Sequence, residues 1–134
     1  MAELKHETMA INSSDDVVRV RQKVRELALV LGFSLVDQTK IVTAASELAR
    51  NTINYGAGGV VHLEMLQNGH RAGLQLVFED NGPGIADIDL ALKDGYTTGG
   101  GLGLGLGGAK RLSNEFEINS QPGEGTRVRI VKWK

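Results

Sequence analysis

Three stretches of this chain carry residue types that can do chemistry. Ser46-Glu47-Leu48-Ala49-Arg50-Asn51 lies in an apolar pattern of helical period, so Glu47 and Asn51, four apart, stack on one face. That face lies beside the apolar stripe of Ile41, Ala44 and Leu48, as the wall of a cleft would. An Asn oxygen is a hard, neutral ligand suited to Mg²⁺, which keeps waters and takes its other oxygens from phosphates. A Glu one turn away can accept a proton from an incoming nucleophile, directly or through water. Alone, the pair also fits an ordinary solvated helix face. Asp80 closes an apolar strand and is followed by Asn81-Gly82-Pro83-Gly84. A carboxylate on a pocket floor accepts from the exocyclic amine of adenine and repels the carbonyl oxygen of guanine. The glycines let the chain pass close over a base. The same residues also make a plain strand-ending turn.

The third stretch runs from Thr97 to Gly108. Seven of the ten residues 99–108 are glycine, and Leu102, Leu104 and Leu106 stand between them. A flexible linker would carry Ser, Gln or Lys there. Ala109-Lys110-Arg111-Leu112 then reads as helix, so the loop delivers free N–H groups into a helix N-terminus, where phosphate binds well. A phosphate-covering lid is the expectation; a hydrophobic, glycine-rich structural turn is the plainer alternative. A Rossmann reading fails on context, because no strand directly precedes these glycines and no βαβ unit surrounds them.

The rest of the chain must position these groups. Residues 4–11 alternate weakly and are assigned to an edge strand. Ser13-Ser14-Asp15-Asp16 starts a helix, Val17, Val20, Val24, Leu27, Ala28 and Leu31 recur at helical spacing, and Gly32 stops it. A second helix begins at Ser34, buries Ile41, Ala44, Ala45, Leu48, Thr52 and Tyr55, and ends in Gly56-Ala57-Gly58-Gly59. Val61, Leu63 and Met65 alternate on one strand and Leu74, Leu76 and Phe78 on its return, joined by Gln67-Asn68-Gly69-His70. A short helix is expected from Asp87 to about Lys93. Phe116 and Ile118 mark another strand, Gly123-Glu124-Gly125-Thr126 a tight turn, and Val128, Ile130 and Trp133 a last strand. The expected fold is an α/β (α+β) sandwich over residues 1–134, a single domain with helices covering one face of a mostly antiparallel sheet.

Composition narrows the function. The 134 residues carry 15 basic and 16 acidic side chains, which gives no sign of bulk electrostatic binding to nucleic acid. No cysteine is present, which removes disulfides and thiolate metal sites. No run approaches the roughly 18 apolar residues of a membrane span, and a cytoplasmic location is expected. His6, His62 and His70 show no metal spacing and read as structural. Arg19, Arg21, Gln22 and Arg25 form a basic exposed face of the first helix, read as solvated. Val131 and Trp133 fall on the open face of the sheet, with Trp133 packing against a helix or terminus.

Taken together and in order, Glu47/Asn51, Glu79-Asp80-Asn81-Gly82-Pro83-Gly84-Ile85, the glycine lid and Gly123-Glu124-Gly125-Thr126 resemble the four sequence boxes of the GHKL ATPase superfamily. That superfamily includes gyrase, histidine kinases and MutL. Within it, the wording is most similar to the stressosome switch kinases, which are related to the anti-sigma factor kinases. The resemblance implies a Bergerat fold binding ATP and Mg²⁺, with Glu47 as catalytic base, Asn51 on the metal, Asp80 on adenine and Thr126 supporting the adenine pocket. It extends nucleotide binding to Gly82, Gly84, Ile85, Thr98, Gly99, Gly100, Gly101, Leu102, Gly103, Leu104 and Gly105. Two departures stand out. The sporulation anti-sigma kinases carry an arginine just before the lid glycines, where this chain has Gly99 and Gly100. The cation for the terminal phosphate then comes from Arg50, Lys110 or the substrate protein. Switch kinases also tend to show Pro near position 107, here Gly.

The chain has no helical hairpin bearing a phospho-accepting histidine and no transducer domain, so the resemblance implies a stand-alone serine/threonine kinase. Its implied substrates are STAS-domain antagonist proteins of a stressosome, and its implied second partner a PP2C-type phosphatase that it activates; neither nucleic acid nor membrane is implied. Two other readings remain open: an anti-sigma factor kinase that sequesters a sigma factor, and a nucleotide-binding adaptor that works by docking alone.

Overall fold

The computed structural model describes residues 6–85 and 105–134. Along the chain run β1 (His6–Ile11), α1 (Ser14–Val30), α2 (Leu35–Gly56), β2 (Gly59–Asn68), β3 (Arg71–Asp80), α3 (Gly105–Leu112), β4 (Glu115–Ser120) and β5 (Thr126–Trp133). The strands form one sheet in the order β1-β2-β3-β5-β4, every neighbouring pair antiparallel. The expected helix at 87–93 and the lid residues 97–104 lie outside the described residues.

Strand alternation decides which face is covered. Val61 and Leu63 of β2, Leu74, Leu76 and Phe78 of β3, and Val128 and Ile130 of β5 all bury into one core with α1 and α2. Helix α1 supplies Val17, Val20, Val24, Leu27 and Ala28, as its period requires. Helix α2 buries the expected Ile41, Ala44, Ala45, Leu48 and Thr52, and also Val42, Ser46 and Ala49. That second stripe exists because α2 is the central helix, packed against both α1 and α3 as well as the sheet. Tyr55, expected inside, is 40% exposed at the end of the helix.

The ends of the helices follow their side chains. Ser34 Oγ accepts from the Asp37 N–H at the start of α2. Ala57, in the left-handed region at φ 59°, and Gly58 close its far end, the latter donating to the Thr52 carbonyl at 2.9 Å. At the start of α1 the Asp16 carboxylate accepts from the Asn12 and Ser13 N–H groups and pairs with Arg19. Among the described residues, no helix is long and apolar enough to cross a membrane.

The uncovered face of the sheet is closed by its own side chains. Trp133 lies over Gly73, where a Cβ would come within 2.6 Å of its ring, rather than against a helix or terminus. Arg71 stands over the indole at 5.0 Å, and the indole N–H donates to Glu115 at 2.7 Å. Arg129 reaches Gln75, Glu115 and Glu117. Val131 sits in register between Gln75 and Glu115 and is fully buried, although no helix among the described residues covers that face.

Two carboxyls are held below their ordinary range. The Asn12 N–H, then the Arg19 guanidinium, act on Asp16; the Trp133 indole N–H, then Arg129, act on Glu115. A depressed folded-state value contributes stability above the unfolded carboxylate value near 3.9 and loses it as pH falls through the folded value. Asp16→Asn is therefore expected to lower the melting temperature at pH 7, and the gap from wild type to close progressively below about pH 4. Thermal denaturation across pH checks this; a gap independent of pH would show that Asp16 acts only as a neutral cap.

Candidate nucleotide site

One rung across the sheet organises the site. Gly59, Asp80, Thr126 and Ser120 are Cα partners in turn across β2, β3, β5 and β4. Above Asp80 sits the last residue of α2. A Cβ built on Gly56 would lie 2.3 Å from Asp80 Cγ, so only glycine lets the helix end come down onto this carboxylate. The turn after Asp80 is drawn to the same place: a Cβ on Gly82 would meet the Gly56 Cα at 2.6 Å and the Tyr55 carbonyl at 2.9 Å. Asp80 Oδ1 accepts from the Gly82 N–H at 2.9 Å, fixing the carboxylate to its own turn.

The β4–β5 turn locks onto this joint. Ser120 Oγ accepts from the Ile85 N–H at 2.7 Å, bonds the Thr126 hydroxyl at 2.8 Å and donates to the Gly125 carbonyl at 3.0 Å. The Gly123 N–H donates to the Pro83 carbonyl at 2.6 Å. Five expected residues, Asp80, Gly82, Gly84, Ile85 and Thr126, are thus brought together. A groove of about 630 Å³ at this end of the sheet is lined by Asp80, Asn81, Ser120 and Thr126 but otherwise by Val60, His62, Glu79 and Arg127 of the face turned away from α2, so it is not the cleft beside α2. Glu47 and Asn51 do not line it.

Glu47 and Asn51 lie higher on α2. At 1.5 Å per residue, Glu47 is about 13 Å along the helix axis from Gly56, and Asn51 about 7 Å. Asn51 is half-buried, and its side chain bonds no other residue among those described. Glu47 is 15% exposed and receives Arg50 Nη1 on Oε1 at 2.8 Å. Arg50, weighed above as a cation for the phosphate, is here engaged with the carboxylate a turn away.

The lid expectation needs correction at its C-terminal end. Helix α3 begins at Gly105, not Ala109, and Leu106, Gly107, Gly108 and Ala109 are buried where it meets α2. Leu106 joins the main core; its burial and close packing through two glycines outweigh their poor helix propensity. Gly105, expected to bind phosphate from a loop, is therefore the first residue of a helix. Thr98, Gly99, Gly100, Gly101, Leu102, Gly103 and Leu104 lie outside the described residues. Sequence reasoning missed two supports, Ser120 and Gly56. Gly56 was read only as a helix stop, and nothing near Ser120 distinguishes it from an ordinary strand-end serine.

Sheet, central helix and glycine joint together define an ATPase domain of Bergerat type. The sequence model of the family described as Histidine kinase-, DNA gyrase B-, and HSP90-like ATPase matches residues 36–134, and the chain belongs to that family. It is 48% identical to Serine/threonine-protein kinase RsbT of Bacillus subtilis (strain 168), over 88% of this chain and 89% of that one. It is 28% identical to Anti-sigma F factor of Thermoanaerobacter sp. (strain X514), over 92% and 89% respectively. Among solved structures, the RsbU and RsbW domains of a Mycobacterium tuberculosis protein share the fold with a TM-score of 0.64 at 20% identity; the match covers 99% of this chain and 33% of that one.

Gly56→Ala puts a methyl group where the Asp80 carboxylate stands. The expected result is a folded protein with ATP affinity reduced about tenfold or more, the scale of one charge-assisted hydrogen bond. Titration calorimetry with ATP and Mg²⁺, beside a melting curve, checks it; unchanged affinity would detach Asp80 from the base.

Proposed function

We propose that this chain moves the terminal phosphoryl group of ATP to a Ser or Thr hydroxyl on STAS-domain antagonist proteins of a stressosome, and afterwards switches partner to activate a PP2C-type phosphatase. Its class, a protein serine/threonine kinase of the ATPase family, rests on the 48% identity to RsbT across most of both chains. The observation that supports transfer, rather than nucleotide binding alone, is the Glu47 carboxylate. It stands one turn from Asn51 on α2 and is held through one oxygen by Arg50, which leaves Oε2 for a proton.

In this reading Asp80 takes the adenine amine at the end of the sheet, with Thr126 beside it. The nucleotide then runs along α2 toward Asn51 and Glu47. Bound Mg²⁺ supplies charge neutralisation on the phosphates, and Asn51 offers it one neutral oxygen. Glu47 takes the hydroxyl proton as the acceptor oxygen attacks the terminal phosphorus. The bond from that phosphorus to the bridging oxygen breaks and ADP departs. Alignment and charge neutralisation contribute most of the rate. The reading invokes neither nucleic acid nor membrane and assumes a cytoplasmic protein.

A second reading, sequestration of a sigma factor, draws on the relatives named Anti-sigma F factor, at lower identity. Pull-down with purified sigma factor and with STAS-domain protein separates the two, since the kinase reading expects retention of the STAS protein.

Removing the base gives a further expectation. Glu47→Gln should keep ATP affinity within about twofold and lower phosphoryl transfer by about a hundredfold or more, the scale of general-base catalysis. Transfer of label from γ-³²P-ATP to the STAS protein measures it. Equal labelling by wild type and variant would leave Glu47 without a catalytic role.

A further inference from the structure

The corner where α1 turns into α2 exposes more large apolar surface than any other part of the described chain. Leu29 is 59% exposed, Val30 69%, Leu35 77% and Val36 63%, four side chains within eight residues. Single exposed apolar residues are ordinary, but a contiguous group is a mark of interaction. The turn between the helices holds the group in one place: the Gly32 N–H donates to the Leu29 carbonyl at 3.0 Å and the Phe33 N–H to the Ala28 carbonyl at 2.9 Å. Phe33 is buried beneath. The stripe continues along α1, where Val18, Gln22, Arg25 and Leu29 follow one another at helical spacing on the exposed side.

The charges around this corner have one sign left over. Lys23 is shared by Glu26 at 3.2 Å and Glu7 at 3.6 Å, and Asp37 is held by Lys132 at 3.5 Å, so each of these acids has a cation. Arg21, Arg25 and Lys40 are exposed and pair with no acid among the described residues. Lys134 joins them, because a Cβ on Gly32 would meet its Nζ at 2.8 Å. The whole chain has a net charge of −1, so this local excess is a matter of placement rather than composition. Among the described residues the surface consists of two helix ends, the turn between them and Lys134.

We propose that the α1–α2 corner is a docking surface for a partner protein that presents an amphipathic helix, with aliphatic side chains on one face and Asp or Glu on its flanks. The aliphatic row lies on Leu29, Val30, Leu35 and Val36, and the acids meet Arg25, Lys40 and Lys134. An anionic membrane would answer the same signs. A protein helix is favoured because the patch carries no aromatic residue of the kind that seats in a headgroup region. The corner stands apart from the Asp80 joint and from Glu47, so the inference does not depend on the catalytic reading.

The test uses the full chain, ¹⁵N-labelled, titrated with a synthetic amphipathic peptide bearing leucine on one face and glutamate on its flanks. Amide shifts confined to α1, the turn and the first turns of α2 are expected. Arg25→Glu with Lys40→Glu should weaken binding about tenfold or more, and a lysine-flanked peptide should recover it on that variant. Leu35→Ser with Val36→Ser should weaken both. ATP affinity should be unchanged in every variant, which separates failure here from failure of the nucleotide site. Absence of binding, shifts elsewhere on the surface, or no recovery by the charge-swapped peptide would overturn the proposal. So would sedimentation with phosphatidylglycerol vesicles in place of peptide binding, or a dimer that Leu35→Ser dissolves.

Discussion

The structure depends on a missing methyl group. At Gly56 the end of the central helix approaches the end of the central strand so closely that no side chain fits between them, and the group occupying the space is the Asp80 carboxylate. A carboxylate half-withdrawn from water loses solvation unless something bonds it. Here the N–H of Gly82 does so, and bending the chain back to make that bond carries Gly82 onto the Tyr55 carbonyl. One polar contact and one steric allowance therefore fix where helix, strand and turn meet. The Ser120 hydroxyl extends the same joint to the last hairpin by holding three groups that would otherwise lack partners there.

This arrangement explains why the proposed functional residues are far apart in sequence. The rung from Gly59 to Ser120 spans four strands, and its spacing comes from antiparallel register rather than from any local motif. Asp80 can be rigid because its own strand is central, paired on both sides. Glu47 and Asn51 are rigid for a different reason: α2 is buried on the sheet side and on its contacts with α1 and α3. The Glu47–Arg50 contact adds little to stability, since a partly exposed ion pair contributes about 0–1 kcal/mol. Its effect is directional. It holds one carboxylate oxygen through a cation that is itself about half exposed, and such a cation can be released without disturbing the core.

What the sequence disclosed follows the periodicities. Val17 to Ala28 and Ile41 to Thr52 repeat at helical spacing because each helix has a face on the core, and the alternation of Leu74, Leu76 and Phe78 sets the inward side of β3. Asp80 with its glycines was legible because a charge ending an apolar strand is conspicuous. Less visible were features created by tertiary contact. Val42, Ser46 and Ala49 are buried because α2 is packed by other helices as well as by the sheet, and the helix at Gly105 carries Leu106 into that core. Trp133 had no local signal for Gly73, sixty residues earlier, as the flat place beneath its ring. The superfamily pattern proposed the nucleotide residues, several of which meet at this joint, but it did not point to the serine and the helix-end glycine that support them.

Two surfaces that no described helix covers behave differently, and the difference bears on partners. On the open face of the sheet, apolar groups are already answered: Val131 is covered by its long polar neighbours, Trp133 is capped by Arg71, and Arg129 is bound by an amide and two carboxylates. Docking there would first have to break those contacts, and the depressed Glu115 carboxyl reports that they favour the charged, paired state. At the α1–α2 corner nothing need be broken. Leu29, Val30, Leu35 and Val36 are already exposed to water, the neighbouring acids are already paired, and the remaining cations pair with no acid among the described residues. Covering apolar area of this kind returns roughly 25 cal/mol for each Å² removed from water, with no internal contact to set against it. Between two uncovered surfaces of one small domain, the corner is therefore the one where association costs least.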